Sequence, residues 1–131
     1  MTHEDYVSFE QAQRLKELGF NWDCMKGYAH YPNENVKAFN AQEENINGDY
    51  NKWTFSAPSL AQAQRWLREV KGCKILITEG DINKENYGWE FRYKDTWLGD
   101  ISHGNVMETY EEALADAIDE ALDILEKGES V

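Results

Sequence analysis

Tyr87-Gly88-Trp89-Glu90-Phe91-Arg92-Tyr93 is the stretch on which the fold turns. Its four aromatic residues occupy every second position, with Gly88, Glu90 and Arg92 between them. A period of two sends alternate side chains to opposite faces, so this pattern predicts a half-buried antiparallel strand. On either side, Cys73–Glu79 and Thr96–Ile101 read as its neighbours, and no helical pattern separates the three. Further upstream, Tyr28–Tyr31, Val36–Asn40 and Tyr50–Ser56 form a second run of strand-like segments, with Asn47-Gly48 as a turn signal before the last. Strands in runs, instead of alternating with helices, exclude a parallel doubly wound sheet and favour an antiparallel one.

Three helices bracket the two runs, each opened by the same chemistry. Ser8-Phe9-Glu10-Gln11, Ser59-Leu60-Ala61-Gln62 and Thr109-Tyr110-Glu111-Glu112 place a hydroxyl three residues before Gln or Glu. That spacing is a capping box, in which hydroxyl and carboxamide or carboxylate satisfy opposite backbone N–H groups. The first helix should run from Ser8 to Leu18, stop at Gly19 in the left-handed region, and fold Phe20 back onto Leu15. The second should start at Ser59 and end before Gly72, with Leu60, Ala63, Leu67 and Val70 facing inward and Trp66 beside them. The third, from Thr109 to about Lys127, sets Tyr110, Leu114, Ala117, Ile118, Ala121, Leu122 and Leu125 on one stripe. The expected architecture is one α+β domain over residues 1–131, in the order α-βββ-α-βββ-α, with the helices on one face of an antiparallel sheet. Asn40–Asp49, polar and rich in Asn, is expected as a loop.

The chain has 131 residues, enough to bury a core without disulfides or metals. No apolar run approaches the ~20 residues of a membrane span. The opening Met1-Thr2-His3-Glu4-Asp5 is acidic and polar where a secretory signal is basic and then apolar, so the expectation is a cytoplasmic protein. Cys24 and Cys73 sit in unrelated contexts and are read as reduced, packed thiols.

Candidate chemistry is sparse. His3, His30, His103, Cys24 and Cys73 show no metal-ligand spacing, so neither a metal nor a cofactor is expected. Asp81-Ile82-Asn83-Lys84-Glu85-Asn86 begins like a calcium loop, but its sixth and twelfth positions are Asn86 and Arg92 where Gly and Glu are needed. Asp100, Ser102 and His103 adjoin in sequence, whereas a triad converges from separate elements, and Gly104-Asn105 marks a turn. The sequence leans away from an enzyme.

Charge is more informative. The chain carries a net −12, which argues against a protein held to nucleic acid or membrane by bulk attraction. Residues 108–131 hold nine acids and one base, Lys127, and so contribute −8 of that total. Glu112, Asp116, Asp119, Glu120 and Asp123 fall opposite the apolar stripe of the third helix, forming a carboxylate ridge. Several stand four residues apart with no cation between, which costs a few tenths of a kcal/mol per pair (about 0.2–0.5). Such a ridge is either a solvated face or a docking surface for a basic protein, or a mimic of DNA phosphates. A second candidate surface combines Arg65, Arg68 and Lys71 of the second helix with Trp89 and Arg92, as a nucleic-acid contact working through stacking and charge. Arg92 alternates away from the aromatic side, which favours reading the rings as core. Oligomeric state stays open.

The segments Ala57–Glu69 and Thr109–Leu114 with the acidic helix behind it, together with Ser8–Phe20, resemble small uncharacterised proteins of phages and mobile elements of gut Bacteroidetes. That family brings no activity and no functional residues. The final strand and Tyr110–Leu125 are also loosely similar to antitoxins of the HicB type, without their Pro-rich Gly-Cys strand ending. The HicB likeness implies, as an alternative, an antitoxin-like protein that binds nucleic acid.

Overall fold

The computed structural model describes residues 5–48, 52–79, 87–93, 96–97 and 109–129. The α+β class and the order α-βββ-α-βββ-α are as expected. The strands are divided between two three-stranded antiparallel sheets, and the chain forms two compact units, residues 1–59 and 60–131.

In the first unit, α1 (Phe9–Glu17) is stapled at both ends. Ser8 Oγ accepts from the Gln11 N–H at 3.1 Å while Gln11 Oε1 accepts from the Ser8 N–H at 3.0 Å, the reciprocal capping box. At the other end Gly19 has φ 96°, where a side chain would be strained, and the Phe20 N–H reaches back to the Leu15 carbonyl at 3.0 Å. The Gly19 N–H bonds the Lys16 carbonyl at 3.1 Å, completing a Schellman motif. Gln11, Ala12 and Leu15 form the buried side of this helix.

The sheet of this unit runs β2-β1-β3, with β1 (Cys24–Ala29) central, β2 (Lys37–Glu44) and β3 (Thr54–Ala57) at its edges. Phe9 of α1 meets Tyr28, His30 and Phe55 edge-on, at ring-centroid distances of 5.8, 5.3 and 5.4 Å. On the other face Gly27 is pressed from above: a Cβ there would lie 2.7 Å from both Ile46 Cδ1 and Phe39 Cζ. Any side chain there would force the ends of Ile46 and Phe39 to move.

Asn40–Asp49, expected as a loop, is largely ordered structure up to Gly48. β2 continues through Glu44, and a 3₁₀ turn spans Ile46–Gly48. The reason is burial that the polar composition hides. Ala41 and Ile46 are core residues. Asn47 is a hub: its amide donates to the Phe20 carbonyl at 3.0 Å, its Oδ1 accepts from the Ser56 N–H at 2.9 Å, and its own N–H donates to Ser56 Oγ at 3.2 Å. Gln42 and Glu43 both have positive φ, 55° and 60°, where the β1–β2 register slips between Cys24 and Lys26.

In the second unit, α2 (Leu60–Lys71), β4 (Cys73–Glu79), β5 (Tyr87–Tyr93), β6 (Thr96–Trp97) and α3 (Tyr110–Glu129) follow in turn. The sheet order is β4-β5-β6, so β4 is an edge strand. Both helices pack on the sheet and on each other. Cys73, Ile75 and Trp89 lie buried on the helix side, whereas Lys74, Leu76 and Arg92 are exposed on the other. Gln64 of α2 reaches the β4 edge and donates to the Ile75 carbonyl at 3.0 Å. The α3 stripe is buried from Ala113 to Leu125, and Thr109 Oγ1 caps it by accepting from the Glu112 N–H at 3.1 Å.

Two expected core positions are corrected. Val70 is 53% exposed and Tyr110 is 45% exposed. Each lies in the terminal turn of its helix, where less of the packing partner extends beneath it. Tyr110 instead meets Tyr87 edge-on, with ring centroids 6.2 Å apart.

Cys24 and Cys73 are free thiols and buried. Burial pushes each pKa up to about 12, with Asp23 adding to the effect at Cys24 and Ser56 opposing it by a hydrogen bond; Lys71 opposes it at Cys73. A thiol whose folded pKa lies above its ordinary value of 9.0 favours the fold fully below pH 9 and loses that contribution as pH rises toward 12. Folded protein at pH 8 is therefore expected to react with an aromatic disulfide reagent far more slowly than urea-unfolded protein. Denaturation midpoints should fall progressively above pH 9. Equal thiol reactivity in the two states would contradict the burial.

Candidate interaction surface

The third helix presents its acids as the 3.6-residue repeat requires. Glu112, Asp119 and Asp123 are exposed, and Asp116 and Glu120 are half-buried. From Glu112 to Asp123 the helix rises about 16 Å, at ~1.5 Å per residue. Glu111 and Glu112 stand in the first turn, where the helix dipole favours negative charge. Glu126 lies in the last turn, where the dipole disfavours it, beside Lys127, which the dipole favours.

Asp116 differs from the rest of the ridge. Its Oδ2 accepts from the indole N–H of Trp89 at 2.9 Å, and Trp89 is 3% exposed. The helical period turns positions 116 and 120 toward the flank that faces β5, so this carboxylate satisfies a buried donor from the sheet. The signal available in the sequence was general: a buried tryptophan needs an acceptor for its N–H. Asp116→Ala should destabilise the fold by about 1–3 kcal/mol, because the indole N–H is left buried without its acceptor. Asp116→Asn, which keeps a carbonyl oxygen in place, should cost clearly less in a urea titration. Equal losses from the two variants would show that the hydrogen bond is not the cause.

The second candidate surface is not one continuous platform. Trp89 faces the helices with its N–H engaged, so its ring offers no face for stacking a base. Arg92 is exposed on the opposite face of the sheet. On α2, Arg65 pairs with Glu69, Arg68 is exposed, and Lys71 places its ammonium 5.8 Å from the centroid of the Trp66 ring. These bases serve the helix and its packing as much as they face outward.

His30 is exposed and packs edge-on against Phe9. His3, the 81–86 loop and the Asp100–Asn105 turn lie outside the described residues. Among the described residues no group of three or more His, Cys, Asp or Glu side chains is placed to hold a metal ion. Nor, among them, is any helix long and apolar enough to cross a membrane. Comparison of the chain with protein-family models, with curated proteins and with solved structures found no match.

Proposed function

We propose that this chain is a non-enzymatic, cytoplasmic interaction module of a phage or mobile element, which captures a basic protein partner on the acidic face of α3. One observation carries the reading: Glu112, Asp119 and Asp123 stand exposed along one side of a helix whose opposite side is buried without interruption from Ala113 to Leu125. The packed stripe holds the ridge rigid, so its carboxylates are presented at fixed spacing. A rigid row of like charges suits a partner bearing Lys and Arg, or a protein that otherwise binds the phosphates of DNA. Charge complementarity of this kind acts chiefly on encounter rate and partner choice, and it weakens with salt.

The test is the triple variant Glu112→Lys, Asp119→Lys, Asp123→Lys, which leaves Asp116 and its bond to Trp89 intact. Wild-type protein immobilised at low salt should retain a basic protein from host or phage-infected lysate, identifiable by mass spectrometry. The purified pair should dissociate as salt rises. The variant, with an unchanged circular dichroism spectrum, should retain none of it. Undiminished binding by the folded variant would overturn the reading.

A further inference from the structure

The sheet of the first unit carries a pocket of about 170 Å³ that plays no part in the acidic surface. Tyr6, Lys26, Gly27, Tyr28, Ala38 and Ala57 line it. Its shape follows from the register. Lys26 and Tyr28 are two residues apart on β1 and so share a face. Ala57 on β3 lies directly opposite Lys26, and Ala38 on β2 lies directly opposite Tyr28. Two alanines beside two long side chains leave a depression in the sheet surface.

The walls are set in advance. The Tyr28 hydroxyl donates to the Val7 carbonyl at 2.7 Å, and Phe9 packs edge-on against its ring. The backbone of Tyr6 is held by antiparallel pairing with Ser59, and the adjacent Val7 N–H bonds the Pro58 carbonyl at 3.0 Å. Ordering these groups adds little to the cost of binding. The volume compares with the roughly 150 Å³ of an engineered cavity that admits benzene. The lining is mostly apolar, and Lys26 is its one charged residue.

We infer that this pocket is a binding site for a small monocyclic aromatic acid, with its ring between Tyr6 and Tyr28 over the two alanines and its carboxylate on Lys26. Ring walls favour a flat aromatic body through offset or edge contacts. Lys26, the one charged residue of the lining and exposed, matches a single negative charge.

The probe is benzoate, with neutral benzamide as its isostere, titrated into the ¹⁵N-labelled chain. Benzoate should give saturable amide shifts centred on residues 26–28, 38 and 57, with a dissociation constant in the millimolar range or below. Benzamide, and benzoate with Lys26→Ala, should each bind about tenfold more weakly, the loss of one charge-assisted contact. Ala38→Phe fills the pocket from an exposed position, and should abolish the shifts while leaving the rest of the spectrum in place. Absence of saturable shifts, or binding unchanged by Ala38→Phe, would overturn the site. Equal affinity for benzoate and benzamide would overturn the assignment of an acid.

Discussion

Trp66→Ala is expected to lower the stability of the fold by about 3–5 kcal/mol, the usual range for removing a buried tryptophan. Trp66 is 1% exposed and belongs to the buried side of α2 with Ala63 and Leu67. That helix packs on β4 and on α3. Removing it leaves a void that the neighbouring backbone, already committed to helix and sheet, fills only in part. The ammonium of Lys71 also loses the ring beneath it, a smaller effect. Domains of this size are typically stable by about 5–15 kcal/mol, so the variant should sit near the edge of folding. Urea denaturation followed by circular dichroism measures the change, and Trp66→Phe should recover a large part of it. A loss below about 1 kcal/mol would mean that the site collapses freely, contrary to close packing.

Phe20→Ala should produce a loss of the same order, about 3–5 kcal/mol, in the first unit. Phe20 is almost wholly buried, and it follows the glycine that ends α1. Its backbone is used twice, by the bond from its N–H to Leu15 and by the Asn47 amide on its carbonyl. The alanine variant retains both backbone bonds and loses only the ring, including its contact with Trp22 at 6.3 Å. The experiment therefore separates the packing of the Schellman motif from its hydrogen bonds. Hydrogen exchange should show the largest loss of protection across α1 and β3, which pack together. Unchanged protection there would show that the hydrogen bonds alone hold the helix end.

What the sequence revealed of this fold was whatever short-range chemistry decides. Ser8 with Gln11 and Gly19 with Phe20 act within a few residues and do what their spacing predicts, and Thr109 supplies the hydroxyl half of its predicted box. Strand β5 has the bounds its alternating rings predict. Pairing is a different matter. Nothing local in Val36–Asn40 shows that its strand continues to Glu44, because the extension depends on Ala41 being buried and on two non-glycine residues taking positive φ. Nor does any strand's own pattern say whether six strands make one sheet or two. The acidic ridge was legible as a helical face, except at Asp116, whose role depends on a tryptophan 27 residues away. The pocket between Tyr6 and Tyr28 was not legible, since it arises from small residues on three strands meeting in one register.

The bond from Gln64 to the Ile75 carbonyl has a meaning beyond α2 and β4. A sheet is a structure that can be extended, and an edge strand invites whatever extended chain comes next. Strand β4, with Ile75, Leu76 and Ile77 in sequence, is such an invitation. A carboxamide seated on the middle of that edge already fills a place that a newcomer's N–H would take. One ordinary side-chain hydrogen bond thus leaves that edge one acceptor fewer for strand addition.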